Sequence, residues 1–221
     1  MGLPNPRIIA SATPRVTESL REYVEREILP RYDHFDKAHQ RDHALMVIRQ
    51  SLEIAANLEV DMDMVYAIAA YHDTGLCEGR DLHHEVSARI IRADSKLHEW
   101  FTEEQIQTMA DAAEDHRASA KQPPRTIYGR IVAEADRFID PVTIIRRTIQ
   151  YGLDHYPDLT REGHYQRMLT HLHEKYGRNG YLKLWFPESP NTARLEKLRE
   201  MMEDEPLLRK IFDENIAVET S

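Results

Sequence analysis

The sequence predicts an all-α protein, a helical bundle followed by a helical C-terminal extension. Three observations predict it. Ala, Leu, Glu, Arg and Met are plentiful while Gly is scarce, with 8 in 221 residues, and that composition favours helix. Apolar residues recur at three- and four-residue steps in one segment after another. No stretch alternates as a strand would, and there is no internal repeat or low-complexity tract.

Taken in order, residues 1–15 hold three prolines and little periodicity, so they read as an N-terminal arm. Thr17 is a plausible N-cap for a helix that runs to about Leu29, where Pro30 stops it. Residues 32–42 are polar and rich in His and Asp. Residues 43–58 carry Leu45, Met46, Ile48, Leu52, Ile54, Ala55 and Leu58, a wide apolar stripe of helical period. Asp61 or Asp63 can cap the next helix, through Val65, Ile68 and Ala69 to His72, and Gly75 and Gly79 mark the loop beyond it.

A helix follows over about His83–Ala93. Thr102-Glu103-Glu104-Gln105 has the form of a capping box, and its helix ends near His116. Pro123-Pro124 interrupts the chain before a helix over Ile127–Ile139. Pro141 suits the first turn of the next helix, through Ile144, Ile149 and Leu153. The tail adds helices near 160–175, 191–203 and 205–216. The predicted organisation is an arm at 1–15, a core domain at 16–140 and a helical extension at 141–221 packed on that core.

Charge and cysteine content narrow the function. The formal net charge is −9, which disfavours non-specific binding to nucleic acid but leaves room for a small phosphorylated ligand in a locally basic pocket. The single cysteine, Cys77, cannot form an internal disulfide, which suits a reducing, cytoplasmic setting. Residues 1–7 lack the apolar core of a signal peptide. No window approaches the roughly 20 apolar residues of a membrane span, so no membrane association is expected. Pro6 stands where a myristoylation motif wants Ser or Thr. A homo-oligomer is compatible with the sequence.

The chemistry-bearing residues gather around Ala69-Ala70-Tyr71-His72-Asp73-Thr74-Gly75-Leu76, an apolar helix that ends on two adjacent metal-capable side chains. Such a pair is costly to bury without a partner. His43, His84, His116 and Asp136 also stand beside apolar stripes or at helix ends, so one or two divalent metals could partner all six residues. Imidazole and carboxylate without thiolate suit Fe, Mn, Ni, Co or Zn, with Mg also admissible, rather than a structural zinc site. His39 competes with His43, four residues apart on one helical face, and His83 competes with His84.

The order His43, then His72-Asp73, then the distant Asp136 resembles the HD superfamily of metal-dependent phosphohydrolases. Asp-His-Ala-Leu-Met-Val-Ile at 42–48 looks like that family's first ligand helix, and Ile-Val-Ala-Glu-Ala-Asp-Arg at 131–137 like its distal-Asp helix. The resemblance covers about residues 32–140. It implies an HD-type helical bundle with His43, His72, Asp73 and Asp136 on one metal. In binuclear members two intervening histidines hold a second metal, here His84 and His116, and the Asp of the pair bridges.

The activity implied is hydrolysis of a phosphate mono- or diester on a nucleotide or other small molecule, with Asp73 at its centre. Arg117, Lys121, Arg125 and Arg137 are candidate phosphate contacts. Glu85 or Glu134 could support a ligand or shuttle a proton. A di-iron oxygenase on the same scaffold, and a non-catalytic metal- or nucleotide-binding regulator, are the alternatives. His171 and His173 are two apart and face different ways on a helix, so with His164 they make a poor second site. Cys77 lacks an evident base, and Gly177 reads as a helix stop rather than part of a phosphate loop.

Overall fold

A computed structural model describes residues 16–35, 39–117 and 122–219. The predicted arm at 1–15 and the candidate Lys121 lie outside these residues. Among the described residues there is no strand, and the fold is all-α as the sequence predicts. No described helix is long and apolar enough to cross a membrane.

The chain divides into two compact units. The first comprises the residues up to His116 together with Pro123–Val132; the second comprises Arg117–Gln122 and the chain from Ala133 onward. The division falls inside one helix, between Val132 and Ala133, rather than at 140.

The first unit begins with α1 (Glu18–Tyr23), which loosens into a π-helical stretch at Val24–Ile28 and a 3-10 turn at Leu29–His34. Here the structure departs from the sequence reading. Pro30 does not end the helical path, because it falls in the first turn of the 3-10 segment, where a missing N–H costs nothing. Thr17 makes no cap; its hydroxyl and amide both donate to the Asp63 carboxylate, at 2.6 and 2.7 Å.

Then come α2 (Arg41–Ala55), α3 (Met62–Tyr71), a 3-10 turn at Thr74–Glu78, α4 (His83–Ala93), a 3-10 turn at Ser95–Glu99 and α5 (Glu103–Asp115). Residues Met64 to Tyr71 of α3 are all buried. A helix that is apolar all round belongs at the centre, and α3 packs against both α2 and α5, while α4 packs against α5. Asp61 caps α3 by accepting from the Asp63 and Met64 amides. Thr102 and Gln105 close the predicted capping box on α5. These caps set where each helix starts, and hence which residues stand at the opposite ends.

Helix α6 (Ile127–Asp136) crosses the division and ends three residues short of the sequence reading, leaving Phe138 exposed. In the second unit, α7 (Pro141–His155), α8 (Arg161–Tyr176), α9 (Pro190–Glu203) and α10 (Glu205–Glu219) pack on one another. They enclose a core that includes Ile145, Ile149, Tyr165, Met168, Leu172, Leu198, Leu208 and Phe212. These helices therefore have a core of their own. Gly177 caps α8, its N–H donating to the Leu172 and His173 carbonyls, as a helix stop should.

Candidate metal centre

Four histidines converge on one carboxylate in the first unit. His43 lies in the first turn of α2. His72 is the residue after α3, and Asp73 follows it with φ −109° and ψ 6°, out of the helix. His83 opens α4, and His116 is the residue after α5. Helix ends suit this work, because their backbone groups lack helical partners and can hold side chains.

The two oxygens of Asp73 serve different histidines. Its Oδ2 lies 3.3 Å from His72 Nε2 and 3.6 Å from His43 Nε2. Its Oδ1 lies 3.3 Å from His116 Nε2 and 3.4 Å from His83 Nε2. Within each pair the ring nitrogens are close, 3.4 Å for His43 and His72 and 3.3 Å for His83 and His116. Each trio, His43–His72–Asp73 and His83–His116–Asp73, keeps its donor atoms within 4.8 Å of one another.

The backbone fixes which nitrogen faces inward. His72 Nδ1–H donates to the Ala69 carbonyl at 2.8 Å, His83 Nδ1–H to Arg80 at 2.7 Å and His116 Nδ1–H to Ala113 at 2.6 Å. A carbonyl can only accept, so each Nδ1 carries the proton, and in the neutral ring Nε2 presents a lone pair. Those lone pairs meet one another and a carboxylate, with no donor between them. Only added protons or a cation can fill such contacts, and the N/O donor set fits a divalent transition metal, with the backbone carbonyls as the supporting shell.

Electrostatics agree. Burial alone would raise the pKa of Asp73, which is 3% exposed. Without a metal, it is added protons in those contacts that outweigh the penalty: the positive charge of His72 first, then hydrogen bonds from His116, His43 and His72, hold the carboxyl well below its usual range. Burial pushes the His83 pKa down, against the opposing hydrogen bond to Arg80. Its neutral, ligating form is favoured.

Local packing explains why His83 and not His84 stands at Asp73. Gly75 sits against the first turn of α4, its N–H donating to Ser87 Oγ at 2.9 Å. A Cβ at 75 would overlap the His83 carbonyl oxygen and stand 2.6 Å from the Ser87 nitrogen. That contact sets the register of α4, and adjacent helical residues diverge by about 100°. His84 is turned toward Glu85, with Nε2 3.9 Å from Oε1, and joins neither trio. The sequence reading that put His84 beside His116 is corrected to His83. His43 is the member of its competing pair that reaches Asp73; the His39 ring lies edge-on to it at 5.7 Å.

Several other expectations change. Glu85 has a side chain 57% exposed, lies on an open groove with Arg89 and Arg92, and enters neither trio. Arg125 is occupied by α5: its backbone amide donates to Asp115 at 2.7 Å, its Nε to the same carboxylate at 3.0 Å, and its Nη2 to Glu114 at 3.1 Å. Those bonds, led by Asp115, raise its pKa further.

Glu134 is fully buried and accepts from the Trp185 amide at 2.5 Å, the Phe186 amide at 3.1 Å and the Ser189 hydroxyl, so it is an anchor for that loop rather than a proton shuttle. Arg137 donates to the Lys183 carbonyl at 2.8 Å and lies 4.3 Å over the Trp185 ring. Asp136 is the last residue of α6 and belongs, like Arg117, to the second unit. Among the described residues, His164, His171 and His173 enter no metal-capable group.

Comparison with known proteins points the same way. Residues 41–139 match the HD domain family model, a span that holds all four histidines, Asp73 and Asp136. No curated protein matches the chain. A solved structure of a predicted HD superfamily hydrolase from an uncultured Thermotogales bacterium is 22% identical, with a TM-score of 0.49, over 69% of this chain and 87% of that one. From the start of α2 to just beyond α6, the chain matches the HD domain family.

Proposed function

We propose that the protein is a metal-dependent phosphohydrolase acting on a nucleotide or another small phosphorylated compound. The observation that carries the proposal is the shared Asp73 carboxylate, each of whose oxygens faces its own pair of histidine Nε2 atoms. That arrangement suits two ions, with Asp73 common to both. When bound, such ions supply a nucleophilic water near neutral pH and polarise the phosphoryl group.

The chain's own residues do the positioning. His72 and His116 are buried and backbone-held, so their rings cannot swing away. His43 and His83 keep 18% and 12% of their side chains exposed, and that is the side from which a ligand reaches the cluster. The resemblance implies Asp136 as a further ligand, and Arg117, next to His116 in sequence, is the candidate anion contact; both stay part of the proposal.

The test is metal analysis of the purified protein, then assays of phosphomonoester and phosphodiester substrates with Mn, Fe or Co supplied. We expect up to two ions per chain and turnover that His72→Ala abolishes. A protein that binds no metal, or a His72→Ala variant as active as wild type, would overturn the proposal. Oxygen uptake by the iron-loaded protein without phosphate release would point instead to the oxygenase chemistry that the same scaffold can carry.

A further inference from the structure

We infer that Tyr32 is a positioning residue for Asp73, acting through its hydroxyl; the inference rests on the metal reading above. In an uninterrupted α-helix the Asp73 N–H would donate to the Ala69 carbonyl, and the Thr74 N–H to the Ala70 carbonyl. The His72 ring takes the Ala69 carbonyl instead, at 2.8 Å. The Tyr32 hydroxyl takes one group from each rung. It donates to the Ala70 carbonyl at 2.9 Å and accepts from the Asp73 N–H at 3.3 Å.

One phenol therefore replaces two rungs of the helical ladder at the point where α3 ends. Tyr32 is wholly buried, its ring edge-on to Phe35 at 5.4 Å and 6.4 Å from the His72 ring. It comes from the 3-10 turn at Leu29–His34, ahead of the matched span. With those bonds diverted, the chain leaves the helix at Asp73 while the Ala69 and Ala70 carbonyls and the Asp73 amide each keep a partner. Its carboxylate can then lie between the two histidine pairs. Without the hydroxyl, the buried Ala70 carbonyl and Asp73 amide lose a shared partner, and both draw the turn back toward helix.

The test compares Tyr32→Phe with Tyr71→Phe. Each removes one hydroxyl from the same unit, but that of Tyr71 donates to Asp94 at 2.6 Å and touches no part of the turn. Two quantities are read: amide exchange at Asp73 in the metal-free protein, and Co2+ binding followed by its visible absorption. For Tyr32→Phe we expect faster Asp73 exchange, an altered Co2+ spectrum and about tenfold weaker Co2+ binding. Tyr71→Phe should keep the spectrum and affinity of wild type.

Wild-type Co2+ affinity and spectrum in Tyr32→Phe, or equal losses in both variants, would overturn the inference while leaving the metal reading intact. A wild-type protein that binds no Co2+ would overturn both. If Tyr32→Phe does not fold, 3-fluorotyrosine at position 32, which strengthens the hydroxyl as a donor and weakens it as an acceptor, is read by the same two measurements. Unchanged Asp73 exchange and an unchanged spectrum then count against the inference.

Discussion

Gly75 and His83 are in backbone contact: a Cβ on residue 75 would stand 2.9 Å from the His83 carbonyl carbon and overlap its oxygen. The glycine after the His-Asp pair is therefore a packing requirement. It lets the 3-10 turn at Thr74–Glu78 lie flat against the start of α4, and so brings His83 to Asp73. Gly75→Ala has to push α4 away, since the atoms it meets are backbone and cannot rotate aside. We expect it to cost about 3 kcal/mol of stability, at the upper end for overpacking. Metal analysis of the purified variant should show loss at the His83–His116 side. A variant with wild-type melting temperature and metal content would refute the packing account.

The two adjacent histidines at the start of α4 separate cleanly by experiment. His83 Nε2 is 3.4 Å from Asp73, whereas His84 Nε2 lies 3.9 Å from Glu85 Oε1 and enters neither trio. His83→Ala should lower the metal content by one ion's equivalent or weaken that ion's binding by about 100-fold, as loss of a direct ligand or its support does. His84→Ala should leave metal content unchanged. The reverse result would return His84 to the site and place α4 in a different register.

That pair also marks the limit of what the sequence discloses. Helix period, the Asp61 cap, the Thr102 box and Pro141 can be read because each acts within a few residues of itself. The convergence of His43, His72-Asp73 and His116 is readable because each stands at or near the end of its own helix. Choosing between His83 and His84 needs the register of α4, which Gly75 and Ser87 set through a contact between elements.

Tyr32 carries no local signal at all, being 41 residues from the amide it serves. Glu134 shows the opposite error. A carboxylate two residues before the expected distal Asp looks catalytic in sequence, yet its oxygens are engaged by a loop more than 50 residues away.

Acid should act on the metal-free protein through Asp73. Its folded-state pKa lies below the ordinary value of about 3.9, so the unfolded chain binds the proton first as pH falls. The carboxylate thus contributes stability that is complete above about pH 4 and is lost as pH drops through the lowered folded value. Urea unfolding of metal-free wild type at a series of pH values from about 6 to 3 should show a falling midpoint at the acid end. Asp73→Asn should flatten that fall. An equally steep decline in the variant would move the effect to other carboxylates.

Glu134 can be told apart as anchor or acid–base group by comparing stability with turnover. The Trp185 and Phe186 amides and the Ser189 hydroxyl all donate to its buried carboxylate, and the Asn191 side chain donates to its backbone carbonyl at 2.8 Å. Glu134→Ala leaves three donors without an acceptor, a cost on the order of 3–5 kcal/mol. Glu134→Gln keeps one oxygen but presents an NH2 to groups that are themselves donors, and should cost about 2 kcal/mol. A proton shuttle would behave differently, since the glutamine variant would then fold with wild-type stability and lose turnover. Chemical denaturation of both variants decides between them: a Glu134→Gln protein as stable as wild type would refute the anchor.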